Sequence, residues 1–216
     1  AYLGKILAFD SVGYIGWAQK WAFFPLRFFM DAINKVTFPT YSRLQSKKKT
    51  LVKGVEKSLY GVAATVFPTL TGLFVLAPYF VQLFPKYQKW EPALLSLAFF
   101  CVNGMFSSIS TTITNTFNAL GKIKITLKLM VMWTVLTWIA TLGLVRIWNF
   151  NGVASASALV AATVFIPIII LKKQLPVKIF ANIKGPLLAT FFMGVSLFFI
   201  SEQFVTSLPR LGAVIV

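Results

Sequence analysis

Residues 58–84 read SLYGVAATVFPTLTGLFVLAPYFVQLF, and this stretch holds no charged residue. It is longer than the roughly 20 apolar residues that cross a bilayer as a helix. It also lacks the strict apolar–polar alternation that marks a half-buried strand. Because lipid offers no hydrogen-bond partners, a backbone that crosses it must be helical or part of a closed barrel. The stretch therefore predicts a transmembrane helix.

The rest of the chain repeats this pattern. Of its 216 residues, 57% are hydrophobic and 12% are charged, whereas a soluble domain has about 25% charged residues. We therefore predict an all-α, polytopic transmembrane bundle of about six spans within residues 11–208. The predicted spans are 11–42, 58–84, 92–120, 125–148, 153–171 and 185–204. Residues 1–10 and 209–216 are largely apolar but too short to span, and we expect them to be the cut ends of further helices.

The basic residues between the spans predict the orientation. Going along the chain, the segments after each span, counted with the adjoining span ends that hold Lys128 and Arg146, carry six, two, three, one, four and one Lys or Arg. High and low counts alternate, as the positive-inside rule requires of correctly counted spans. Segments 43–57, 121–128 and 172–184 are therefore predicted to be cytoplasmic. In this setting a net charge of +16 indicates contact with membrane lipids and not with nucleic acid.

The chain offers little for covalent chemistry. It has no histidine, one cysteine (Cys101) and five acidic residues. General-base catalysis and metal binding draw mainly on these residue types. We therefore expect no enzymatic activity, no catalytic residue, no metal and no cofactor.

One predicted span, 11–42, carries four ionisable residues on one helical face: Lys20, Arg27, Asp31 and Lys35. Their spacings of seven, four and four place them in a stripe, with the polar residues Gln19 and Asn34 beside it. An isolated charge near the middle of a bilayer costs at least about 2.5 kcal/mol. We expect the stripe to face a wet cavity, where Lys20, Arg27 and Lys35 bind an anion, phosphate above all. Asp31 is expected to pair with a neighbouring cation or to couple the cycle to an ion.

A second interpretation of this stripe stays open. Lys20 and Lys35 would extend to opposite membrane surfaces, and Arg27 with Asp31 would form a structural pair.

The span 92–120 is the second polar helix. One face of this span carries Asn103, Ser107, Thr111, Thr114 and Asn118, and four further polar residues add to it: Ser108, Ser110, Thr112 and Asn115. The residues predicted to line the cavity are Asn103, Ser107, Thr111, Asn115 and Asn118. Their amides and hydroxyls suit a sugar. For the serines and threonines, helix-to-helix packing is the other interpretation, since small polar residues join helices in lipid.

Three short motifs resemble one transporter family. Residues 11–18 read SVGYIGWA, residues 36–45 read VTFPTYSRLQ and residues 112–122 read TITNTFNALGK. In this order they resemble the second half of the polysaccharide and O-antigen flippases, within the multidrug/oligosaccharidyl-lipid/polysaccharide transporter superfamily.

The resemblance implies one lobe of a two-lobed transporter that resembles the multidrug exporters in fold. It also implies flipping of undecaprenyl-pyrophosphate-linked oligosaccharides across a bacterial or archaeal cytoplasmic membrane for O-antigen, capsule or exopolysaccharide synthesis. The implied partners are the lipid-linked oligosaccharide, membrane lipids and an N-terminal lobe outside this chain.

Three rival functions remain. An ion-coupled multidrug exporter of the same fold would need membrane-embedded acids, of which the stripe has one. A membrane glycosyltransferase or acyltransferase would need a catalytic histidine or a loop acid. A fragment that scaffolds without transporting is compatible with the sequence.

Overall fold

The computed structural model describes the backbone of residues 9–212 and the side chains of residues 10–203. Within this range every regular element is helical, so the predicted all-α class is confirmed. The elements are α1 (Phe9–Leu44), α2 (Lys48–Leu83), a 3-10 segment (Pro85–Ala93), α3 (Leu94–Ala119), α4 (Ile123–Trp148), α5 (Asn151–Ala161), a 3-10 turn (Ala162–Val164), α6 (Phe165–Gln174) and α7 (Ile179–Gly212).

Five helical segments in the described residues have the length and hydropathy that a membrane crossing requires. They are Lys48–Leu83, Pro85–Ala119, Ile123–Trp148, Asn151–Gln174 and Ile179–Gln203. Helix α1, at 36 residues, is as long as α2 but carries the charged stripe. The described residues form a polytopic bundle, and α1, which is not among these five segments, carries Lys20, Arg27, Asp31 and Lys35 along its length.

The predicted cytoplasmic segment 43–57 is helical from Lys48 onward, because α2 begins ten residues before the predicted span. The reason is an apolar stripe within the basic segment. Leu51, Val55 and Leu59 lie one turn apart and are buried, whereas Lys53 and Lys57 stay exposed. Charge counting predicts a membrane boundary in this region, but it could not detect the amphipathic helical segment that begins at Lys48.

Other boundaries also differ from the prediction. Segment 121–128 is helical from Ile123, and segment 172–184 is non-helical only between Gln174 and Ile179. The predicted span 185–204 is part of the longer α7, whose backbone continues to Gly212 without the break predicted before residue 209. Residues 1–8 and 213–216, which hold most of the two predicted cut ends, lie outside the described residues.

The predicted span 153–171 is divided into α5 and α6. The 3-10 turn Ala162–Val164 separates them and comes just before Pro167. Proline has no N–H to bond the carbonyl four residues earlier, and its ring collides with that carbonyl. The carbonyl in question belongs to Thr163, so Pro167 explains the break.

Helix α3 lies at the centre of the bundle, against α1, α2 and α5. Helix α4 packs mainly on α5, and α7 packs on α2. At the end opposite the basic segments, the Trp90 ring of the 3-10 segment stacks on Trp17 of α1, with ring centroids 5.5 Å apart. This arrangement leaves one face of α1 uncovered and brings the polar face of α3 next to α4 and α5.

Candidate functional site

The uncovered face of α1 carries the predicted stripe. Lys20, Arg27, Asp31 and Lys35 are all exposed in this chain. Large apolar side chains share the face, with Phe24 69% exposed and Phe28 68% exposed. Charged and aromatic side chains therefore alternate on a surface that the described residues leave open.

Part of this stripe forms an open pocket of about 540 Å³. Gln19, Lys20 and Arg27 line it together with Gly16, Phe23, Phe24 and Phe28. Because the helix rises about 1.5 Å per residue, Lys20 and Arg27 stand about 10 Å apart along its axis. The structure thus brings two of the three predicted cations to one pocket with aromatic walls.

Asp31 and Lys35 lie one and two turns beyond this pocket and do not line it. Among residues 10–203, no ion pair joins Asp31 to Arg27 or to Lys35. The expected pairing of Asp31 is therefore not made in this state, although the four-residue spacing keeps both cations within its reach. The Arg27 guanidinium remains free of protein counter-charge in the described part of the chain.

The polar face of α3 forms a second concavity, which we name the α3–α4–α5 cleft. Its volume is about 410 Å³. All five predicted lining residues of α3 contribute to it, namely Asn103, Ser107, Thr111, Asn115 and Asn118. Ser110 and Thr114 of α3 also line it, with Met130, Trp133 and Thr137 of α4 and Ser157, Val160 and Ala161 of α5.

Other hydroxyls of α3 have a different role. Ser108, Thr112 and Thr116 are buried, and each donates a hydrogen bond to a carbonyl of its own helix, 2.7 to 2.9 Å away. These three match the packing interpretation of small polar residues in lipid. Helix α3 therefore has one polar face that packs and another that lines the cleft.

A hydrogen bond joins the stripe helix to the polar helix. Asn115 Nδ2 donates to Asn34 Oδ1 over 2.8 Å, although the two residues are 81 positions apart in the chain. Asn34 flanks the charged stripe on α1, and Asn115 lines the cleft. The cationic pocket and the cleft are therefore on adjoining helices that are tied together by this amide pair.

The residues of α4 and α5 in this cleft were not predicted. Trp133 and Thr137 are one turn apart on α4, and Ser157 is on α5. Trp133 and Thr137 lie among apolar residues of α4, and such a sequence by itself predicts a span that faces lipid. The four-residue spacing was the available signal, and it is too common in helices to single out a site.

Comparisons with known proteins agree with the resemblance found in the motifs. A family model described as "Polysaccharide biosynthesis protein" matches residues 2–95. The lipopolysaccharide biosynthesis protein WzxC of Escherichia coli (strain K12) is 29% identical over 134 residues, which is 62% of this chain and 27% of that protein. Both matches agree with the predicted resemblance to the polysaccharide flippases.

The solved structure of the lipid II flippase MurJ, in an inward closed conformation, is similar in fold. The TM-score is 0.69 at 16% sequence identity, over 90% of this chain and 47% of that chain. The chain thus spans about a quarter of WzxC and about half of MurJ. At this identity the likeness establishes the fold and leaves the substrate to be argued from the residues.

Proposed function

We propose that this chain, which the three comparisons relate to the polysaccharide and lipid-linked flippases, is part of a transporter that flips a diphosphate-linked oligosaccharide across the cytoplasmic membrane. The observation that carries the proposal is the pocket on α1, which contains Lys20 and Arg27. A guanidinium and an ammonium group within one helical face suit the oxygens of a diphosphate. No covalent step is involved, and the chain acts by binding and by moving.

The stripe also suits the movement of a diphosphate along the membrane normal. Lys35 is eight residues beyond Arg27 on the same exposed face, which is about 12 Å along the helix axis. Lys20, Arg27 and Lys35 therefore form a row of cations at successive depths. A diphosphate could pass between them without losing its counter-charge, which a bare anion in lipid cannot do.

Asp31 is the residue that we propose to regulate this row. Its carboxylate is four residues from Arg27 and from Lys35, so a small side-chain rotation brings it to either cation. We propose that Asp31 competes with the diphosphate for Arg27 and so favours release.

The same stripe argues against a multidrug exporter. Cationic drugs need membrane-embedded carboxylates, and the exposed face of α1 carries three cations and one acid. A pocket with this excess of positive charge repels a cationic substrate.

The test is genetic complementation with the natural gene that contains this chain, in a strain that lacks its own flippase. Arg27→Ala and Lys20→Ala should each lower polysaccharide export roughly ten- to a hundredfold, the range for losing a hydrogen bond to a charged group. Arg27→Lys should lie between the alanine variant and the natural protein, because it keeps the charge but not the planar fork.

Lys124→Ala is the matched control, since it removes an exposed lysine that does not line the pocket. It should export normally. Immunoblots should show equal membrane levels of all variants. Full complementation by both alanine variants of the pocket would refute the proposed diphosphate site.

A further inference from the structure

The α3–α4–α5 cleft is lined by neutral side chains only. Its polar lining consists of amides, hydroxyls and one indole, and no Lys, Arg, Asp or Glu is among its lining residues. Its volume of about 410 Å³ is within the range of small-molecule pockets, about 300–1,000 Å³. The cationic pocket on α1 has the opposite character, so the two concavities suit different chemical groups.

Several polar groups in the cleft have unused hydrogen-bonding capacity. The Oδ1 atom of Asn118 is buried and has no hydrogen-bond partner among the described residues. Asn103 Oδ1 accepts a hydrogen bond from Ser107 at 2.7 Å, and its amide N–H groups make no bond to residues 10–203. The hydroxyl of Thr137 is likewise unpaired within that range.

This unused capacity distinguishes the cleft from the packed face of α3. On the packed face of the same helix, Ser108, Thr112 and Thr116 all donate to carbonyls of their own helix. Inside a bilayer, an unpaired donor or acceptor is costly unless water or a ligand satisfies it. The unpaired donors and acceptors of the cleft therefore favour a ligand with many hydroxyls.

The cleft also has an aromatic wall that is held in place. The Trp133 Nε1–H group donates to Thr163 Oγ1 over 3.0 Å, and Thr163 Oγ1 donates in turn to the Val160 carbonyl at 2.6 Å. These bonds fix the indole ring against the 3-10 turn between α5 and α6. The weakly positive C–H face of a pyranose ring matches the negative face of such an aromatic ring.

From these features we infer that the α3–α4–α5 cleft binds an uncharged sugar of the transported glycan, with Trp133 as the stacking surface and with Asn103 and Asn118 as hydrogen-bonding partners. The inference rests on the proposed flippase function and assigns the sugar to a place separate from the diphosphate pocket. The Asn34–Asn115 hydrogen bond puts the two places on adjoining helices. A single lipid-linked molecule can therefore occupy both.

The neutral lining also predicts selectivity. A uronic acid would bring a carboxylate into the cleft, where no cation lines the wall to replace its lost hydration. Neutral hexoses and N-acetylhexosamines meet no such penalty. The cleft thus discriminates between neutral and acidic sugars at this position of the glycan.

The test is saturation-transfer NMR on the full-length protein in lipid nanodiscs, which avoids sugar-based detergents. The probes are methyl glucoside, methyl N-acetylglucosaminide and methyl glucuronide. The neutral glycosides should receive saturation, and methyl glucuronide should not. Trp133→Leu should weaken the signal about two- to tenfold, which is the range for losing one aromatic contact.

Trp138→Leu is the matched control, because Trp138 is on the same helix but is 58% exposed and does not line the cleft. It should keep the full signal. Thr137→Phe provides a second variant that fills the cleft from an exposed position and should also abolish saturation.

Two results would overturn the inference: equal saturation of methyl glucuronide, or neutral-sugar signals that survive both Trp133→Leu and Thr137→Phe. Arg27→Ala should leave the sugar signal unchanged. Loss of export in Arg27→Ala without any sugar saturation in the natural protein would therefore sink the sugar site alone. Sugar saturation in the natural protein together with full export by Arg27→Ala and Lys20→Ala would overturn the diphosphate site alone.

Discussion

At the turn between α4 and α5, one glycine sets how closely two helices approach. A Cβ atom added to Gly152 would collide with the carbonyl of Leu144 and would lie 2.6 Å from the Val145 nitrogen. Asn149, which precedes the turn, has a positive φ of 49°, and its carbonyl accepts the Gly152 N–H at 3.0 Å. The position tolerates no side chain, because backbone atoms cannot move aside as a flexible side chain can.

Gly152→Ala should therefore lower the free energy of unfolding by about 1–3 kcal/mol, as overpacking does. Thermal unfolding of the purified protein measures this loss of stability. Gly143→Ala is the matched control, because an added Cβ there meets nothing within 4 Å. Equal melting temperatures for the two variants would show that the α4–α5 turn is not held this tightly. A shifted turn would also displace Trp133 and Ser157, which line the cleft.

At the scale of elements, the contact between α2 and the start of α7 joins two segments that differ from their sequence prediction. Glu56 is in the early part of α2, within the predicted cytoplasmic segment. Its Oε1 atom accepts the backbone N–H of Lys178 at 2.7 Å, just before α7 begins at Ile179. A carboxylate at a helix N-terminus satisfies a free N–H group and interacts favourably with the helix dipole.

Glu56→Ala should lower the free energy of unfolding by about 0.5–2 kcal/mol, the usual cost of losing an N-terminal cap. Glu56→Gln keeps an acceptor oxygen but loses the charge, so it should fall between the alanine variant and the natural protein. Chemical denaturation in detergent micelles can rank the three proteins by their free energy of unfolding. Glu91→Gln, at an exposed position, should have no effect, and a loss there as large as in Glu56→Ala would contradict the cap.

For the whole molecule, the basic segments predict the orientation in the membrane. Single cysteines can be placed in a Cys101→Ser background, since the natural thiol is buried. Residues 46 and 124 are expected on the cytoplasmic side, and residues 88 and 146 on the outer side. An impermeant maleimide should label intact cells at Gln88→Cys and Arg146→Cys only.

Ser46→Cys and Lys124→Cys should react only after the cells are permeabilised. All four positions are exposed, so accessibility within the protein does not limit the reaction. Complete inversion of the pattern would reverse the orientation, and labelling of Ser46→Cys together with Gln88→Cys in intact cells would invalidate the number of spans.

The sequence by itself determined the membrane class, the helical fold and the two polar helices. Lipid imposes its constraints locally: an uncharged stretch must be helical, and a charge within a span must face something other than lipid. Lys20, Arg27 and the α3 residues from Asn103 to Asn118 could therefore be found from spacing alone. Five of the six predicted spans, all but 11–42, correspond to helical segments with the length and hydropathy of a membrane crossing, although their ends differ from the prediction.

Only the tertiary structure decided how these groups are used. It separated the α3 hydroxyls that pack, such as Thr112, from those that line the cleft, such as Thr111, although both types have the same chemistry. It also added Trp133 from α4 and joined Asn34 to Asn115. These results depend on which helices become neighbours. Contacts between neighbouring helices join residues that are far apart in the chain, so no local sequence pattern predicts them.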